Sequence, residues 1–330
     1  MGKRTALIAS LVLFAVFMVQ AMRVDAAEYR IVVMPKIVGI DYFNAVEEGV
    51  KDAAKELGDK VEVIWMGPTQ DQVERQIEMI DNLIATQPDA ICVASNDNAA
   101  IVPILKRASR EGIKVLSWDG DADFRDFFVN LVDYDEFGKG LVEALVQEMG
   151  PEGDVAIITT TFTAPNQVMW IKGIEKHIAA KYPKLKIVDV RPAGESTEKA
   201  YRLAQDYIKS MPNLKGLIAL GVPNVPGAID AVKEAGMIGK LAVVGNATPN
   251  VVRKYLKDGD VKSILLWDAP AHGYLTVYSA YRLLTVGLEE GKPYDAGRMG
   301  EFTPAKDDIS LQVSLPIMTF TKDNIDNFNF

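Results

Sequence analysis

The residues able to do chemistry in this 330-residue chain sit just past the ends of its apolar runs. Lys36, Tyr42 and Phe43 follow the first run, and Trp118 and Asp119 close the fourth. Asn166, Gln167, Val222, Asn224, Asn246, Trp267 and Asp268 follow runs in the second half. Carboxylates accept hydrogen bonds from hydroxyls, carboxamides both accept and donate, and aromatic rings cover apolar C–H faces. With a single lysine among them, the set suits an uncharged polyhydroxylated ligand. A strongly anionic ligand would require more cations, and a hydrophobic one fewer carboxylates.

Catalytic patterns are thin. There are two histidines: His177 falls on a polar helix face, and His272, just after a strand, is expected to pack or lie at the surface. No Gly-x-Gly-x-x-Gly run follows the first strand, and neither a phosphate-loop pattern nor a Gly-x-Ser-x-Gly elbow occurs. No catalytic residue and no cofactor is therefore expected. The run Asp119-Gly120-Asp121-Ala122-Asp123 resembles a calcium loop, but the twelfth position of such a loop is Asn130, not an acid. It also follows a strand rather than a helix. An acidic turn is expected, with no metal.

A regular beat positions these groups. Strand-like runs open at Arg30, Val61, Ala90 and Ile113, then at Val155, Lys186, Leu217, Leu241 and Lys262. Between them lie amphipathic stripes, such as Val46, Val50, Ala53 and Leu57, that read as helices. Alternating strands and helices predict an α/β chain of two doubly wound parallel-sheet lobes, with the ligand cleft between them. The expected first lobe is 27–131 plus 270–300, and the expected second lobe is 132–269 plus 301–330.

The N-terminus reads as a cleavable export signal over 1–26. Lys3 and Arg4 precede an apolar stretch from Ala6 to Val19, and Val24-Asp25-Ala26 offers small residues before a cut at Ala27. A membrane-spanning helix needs about 20 apolar residues. Cleavage removes three cations and one anion, so the formal charge moves from −9 to −11. That balance argues against nucleic-acid binding. The lone cysteine, Cys92, sits in an apolar run and reads as a packing residue. None stands at the cleavage site to carry a lipid, so a free periplasmic protein is expected.

Several segments, in order along the chain, resemble the periplasmic sugar-binding proteins of ABC transporters, of the ribose-binding type. The similarity is greatest to the rhamnose and autoinducer-2 branch. They are Pro35-Lys36-Ile37-Val38-Gly39 with Tyr42-Phe43, Gly67-Pro68-Thr69, and Trp118-Asp119 with Asp121. Gly245-Asn246-Ala247-Thr248-Pro249-Asn250, Leu266-Trp267-Asp268, Gly273 to Tyr278 and Phe320 to Asp326 complete the set. The resemblance implies the type I periplasmic binding protein fold, whose lobes are joined by a three-segment hinge and shut on one small ligand. It implies Lys36 and Asp119 as first-lobe contacts, and Asn166-Gln167 where autoinducer-2 binders carry Asp-Gln. Leu220 and Val222 stand where those binders have Pro and Ala. Gly221 and Asn246 stand where ribose binders have Asn and Asp. These departures favour a deoxysugar or pentose, with autoinducer-2 as the alternative. The implied partners are a permease pair with its ATPase, and a chemoreceptor; the protein itself would be a monomer.

Overall fold

The computed structural model describes residues 27–130 and 132–330, so the expected export signal over 1–26 lies outside the described residues. Mostly apolar runs form the strands β1 (Tyr29–Met34), β2 (Val61–Trp65), β3 (Ala90–Val93), β4 (Lys114–Trp118) and β5 (Phe127–Asn130), of which β2 lies at the sheet edge and is only partly buried. Helices α1 (Asp41–Leu57), α2 (Val73–Ile84) and α3 (Val102–Arg110) alternate with them. Strands buried on both faces carry apolar residues throughout, which is why these runs do not alternate with polar positions.

The second half repeats the scheme. Strands β6 (Gly153–Thr159), β7 (Leu185–Pro192), β8 (Leu214–Ala219) and β9 (Ala242–Gly245) pair in parallel in the order β7-β6-β8-β9. They alternate with α4 (Tyr134–Met149), α5 (Pro165–Lys181), α6 (Thr197–Ser210), α7 (Asn224–Glu234) and α8 (Pro249–Asp258). β10 (Ser263–Leu266) adjoins β9 through one parallel bridge, Asn246 to Leu265. The chain then returns to the first sheet through α9 (Ala269–Thr285), which packs on α1. Gly49 and Gly273 permit that contact, because a Cβ at either position would overlap the backbone carbonyl of Pro270 or Val46.

The last thirty residues differ from the expected 301–330 assignment. After the short ladder of β11 (Tyr294–Asp295) and β12 (Glu301–Phe302), strands β13 (Ala305–Lys306) and β14 (Leu311–Ser314) join the first sheet. That sheet reads β13-β14-β5-β4-β3-β1-β2. Only β15 (Met318–Thr321) reaches the second half, antiparallel to β10. The β14–β5 ladder is clasped by Arg125, whose side chain is 1% exposed and grips Asp121 on one side and Asp307 and Ser310 on the other. Residues 305–314 therefore belong with the first sheet. The chain crosses between the sheets three times: after β5, between β10 and α9, and between β14 and β15.

Several helices begin earlier than their apolar stripes suggest. α5 starts at Pro165 rather than Val168, α7 at Asn224 rather than Pro226, and α9 at Ala269 rather than Tyr274. First turns are polar or carry Pro, so apolar periodicity misses them. As a result Tyr42, Phe43, Asn166, Gln167 and Asn224 stand on the first turns of helices, not in loops.

Candidate functional site

The carboxyl ends of both parallel sheets face a shared cleft, where ligands of open α/β sheets bind. Lys36, Ile40, Tyr42, Phe43 and Asp119 line it from the first sheet. Asn166, Gln167, Trp170, Glu195, Gly221, Val222 and Asn246 line it from the second, and Trp267 from the crossing. The space between them, counted out to the mouth, is about 350 Å³.

A small polar ring bridges the lobes. Lys36 Nζ lies 2.9 Å from Asp119 Oδ1, with side chains 6% and 5% exposed, and donates to Asn166 Oδ1 at 2.9 Å. Asn166 Nδ2 donates to Asp119 Oδ1 at 3.1 Å. Asp119 holds a left-handed backbone, φ 57°, which aspartate tolerates better than most residues. On the second sheet, Gln167 Oε1 accepts from Thr159 Oγ1 at 2.8 Å, and Asn246 Oδ1 accepts from the Gly221 amide at 3.0 Å. These bonds set the two carboxamides in fixed orientations.

The aromatic wall is tied to the crossings. Trp267 Nε1 donates to Tyr42 Oη at 3.0 Å, and Tyr42 Oη lies 3.1 Å from His272 Nδ1. His272 Nε2 lies 2.9 Å from the Val129 carbonyl, which can only accept. Nε2 therefore carries the proton, and Nδ1 accepts from Tyr42. Burial lowers the His272 pKa, which keeps the ring neutral. Burial also drives the Tyr42 hydroxyl well above its ordinary range. Edge-on ring contacts, Tyr42 with Trp267 at 5.7 Å and Phe43 with Trp118 at 5.8 Å, complete the wall.

Nine of the twelve residues expected from sequence line this cleft; Trp118, Asn224 and Asp268 do not. Trp118 is fully buried beneath Phe43 and donates from Nε1 to the Cys92 carbonyl at 3.2 Å. Asn224 is turned back to the Leu220 carbonyl at 2.8 Å. Asp268 caps α9, accepting from the Ala271 amide at 2.8 Å. Each has a backbone duty that residue type alone does not reveal. His272 is a buried packing residue, and His177 lies 2.8 Å from Glu143 Oε1 on a helix face. The carboxylates of the aspartate run are separately engaged: Asp119 by Lys36, Asp121 by Arg125, and Asp123 by Asn98 Nδ2 at 2.7 Å. Among the described residues no cluster of three or more His, Cys, Asp or Glu could hold a metal ion.

Glu195 is the acid that the sequence reading passed over. Strand β7 runs past its last apolar β-former, Val190, through Arg191 and Pro192, which moves its end to the Ala193–Ser196 loop. Glu195 is half-buried, and desolvation in the cleft wall pushes its carboxyl up to about 8, with Asp71 and Asp119 adding like charge and Lys36 opposing them. The half-buried Asp71 is raised by burial too, again against Lys36.

A family model described as a periplasmic binding protein domain matches residues 31–289. The D-ribose/D-allose-binding protein of Pseudomonas aeruginosa is 28% identical over 263 residues, 77% of this chain and 82% of that protein. Among solved structures, LsrB from Clostridium saccharobutylicum in complex with AI-2 is 25% identical with a TM-score of 0.85. That match covers 91% of this chain and all of that one. An ABC transporter solute binding protein from Clostridium phytofermentas with bound L-rhamnose has a TM-score of 0.86 at 24% identity, covering 92% and 98%.

Proposed function

The chain belongs to the periplasmic binding protein family, and from that premise we propose that it captures a monosaccharide for an ABC transporter. The ligand class is a deoxysugar or pentose of the rhamnose kind. The observation that carries this reading is the buried Lys36–Asp119–Asn166 ring, contributed by both lobes and flanked by Tyr42, Phe43, Trp170 and Trp267. Hydroxyls entering such a ring find charged and amide partners, and charged acceptors make the stronger bonds. Ring C–H groups find aromatic surface. Both nitrogens of His272 are committed to protein partners, so it has no free base to offer. The sugar leaves chemically unchanged.

The lobes turn about the three crossings, and closure on the sugar presents both to a membrane permease pair driven by its ATPase. The mature protein begins at Ala27, is monomeric and works in the periplasm, where a chemoreceptor is a further partner. A second reading, uptake of AI-2, is favoured by the likeness to LsrB and by Gln167 beside Asn166. A melting screen with L-rhamnose, D-ribose, D-xylose, D-arabinose and AI-2 tests both, since a ligand held only by the folded form raises Tm. A sugar should raise it, with a Kd near micromolar or below, about −8 kcal/mol. A response to AI-2 alone selects the second reading. No response, or recovery of an altered sugar, refutes the first.

A further inference from the structure

Glu195 has no duty in the fold that accounts for its position. Its loop is pinned to the neighbouring site loop: the amides of Ala193 and Gly194 donate to the carbonyls of Thr159 and Thr160, both at 2.8 Å. Gly194 turns the chain at φ 65°, and Ser196 then caps α6. This fixed backbone sets the Glu195 side chain into the cleft wall. The groups acting on its carboxyl do so through burial and charge, with no hydrogen bond among them. Of the charged groups that face it, Asp71 and Asp119 repel a negative charge and only Lys36 attracts one. Lys36 is already engaged by Asp119 and Asn166. Among the described residues, an anionic substituent here would meet several carboxyls and no free cation.

We propose that Glu195 is a specificity-determining ligand contact that admits uncharged polyols and excludes sugar acids and sugar phosphates. The inference rests on the sugar-binding reading and narrows it. In the closed cleft Glu195 is a neutral acid at neutral pH and donates to a ligand oxygen. Closure then takes up a proton, because the closed form holds that carboxyl at about 8, far above its ordinary solvated value of about 4.3. Affinity falls as pH rises between those values and levels off above the upper one.

The test compares L-rhamnose, D-ribose and D-xylose with their aldonic acids and with ribose 5-phosphate, by calorimetry on the full mature chain from pH 6 to 9. In the wild type an uncharged sugar should bind at least a hundredfold more tightly than its acid. Its affinity should fall at least fivefold from pH 6 to 8. Glu195→Gln, which takes up no proton on closure, should flatten the pH profile, and at pH 9, where the wild-type carboxyl is charged, it should narrow the sugar-to-acid gap at least tenfold. Asp71→Asn, which removes one repelling charge, should move the levelling-off to lower pH. An unchanged gap and profile in Glu195→Gln overturn the role of Glu195 while leaving sugar binding intact. Binding of acids alone, or of nothing in the panel, defeats the sugar reading and this inference with it.

Discussion

Asp119 shows what one carboxylate does in a nearly closed site. Its Oδ1 takes both the Lys36 ammonium and the Asn166 amide, and both charged side chains are almost fully buried. Removing one partner of such a pair leaves an uncompensated charge, a loss of roughly 3–5 kcal/mol. Asp119→Ala should therefore weaken sugar binding at least about tenfold, a change of 1.4 kcal/mol, and it should also lower Tm. Calorimetry that finds unaltered affinity would remove Asp119 from the site. Much at this scale was legible beforehand: Lys36, Asp119, Asn166, Gln167 and Asn246 follow strands in plain view. What was hidden is direction. Nothing in the letters separates Asp119, which faces the cleft, from Asp268, which bonds the first turn of its own helix.

At the scale of elements, the edge of the first sheet depends on one cation. Arg125 bonds Asp121, Asp307 and Ser310 and stacks on Phe128 at 5.0 Å, tying β13 and β14 to the turn after β4. Arg125→Met should destabilise the fold by about 3–5 kcal/mol in urea melts, because it leaves Asp121 and Asp307 without their counter-charge. A loss below about 1 kcal/mol, the range of an exposed pair, would show that the clasp is solvated. Burial works to raise the Asp307 carboxyl, but Arg125 and the amides of Ser310 and Ile309 outweigh it and hold it low. A depressed carboxylate stabilises the fold above its unfolded value of about 3.9, and that support fades as pH drops through the folded one. Acid titration should therefore erode the wild type more steeply than Arg125→Met. The parallel strands and their helices were readable from period and spacing. The partner of β14 was not, since a four-residue strand between loops carries no mark of the sheet it will join.

Over the whole molecule, few bonds hold the cleft shut. The polar links across it are Lys36 to Asn166 and Asn166 to Asp119, and hydrogen bonds net only about 0.5–1.5 kcal/mol each, somewhat more with a charged partner. A ligand contacting both lobes adds affinity that exists only in the closed form, and that difference alone can shift the balance. Small-angle scattering should thus show a smaller radius of gyration once the cognate sugar is added. A radius indifferent to a sugar that calorimetry shows to bind would exclude hinge closure.

The tail that stitches both sheets together also sets a timetable. β14 pairs with β5 in the first sheet and β15 with β10 beside the second, while α9 covers a face of the first, yet all three are synthesised long after β5. Contacts between such distant stretches form late and slowly. The β13–β14 edge of the first sheet and the partner of β10 are therefore missing until the final residues emerge. Were the chain exported unfolded, as the proposed signal over 1–26 would have it, that delay would keep it open until it had crossed.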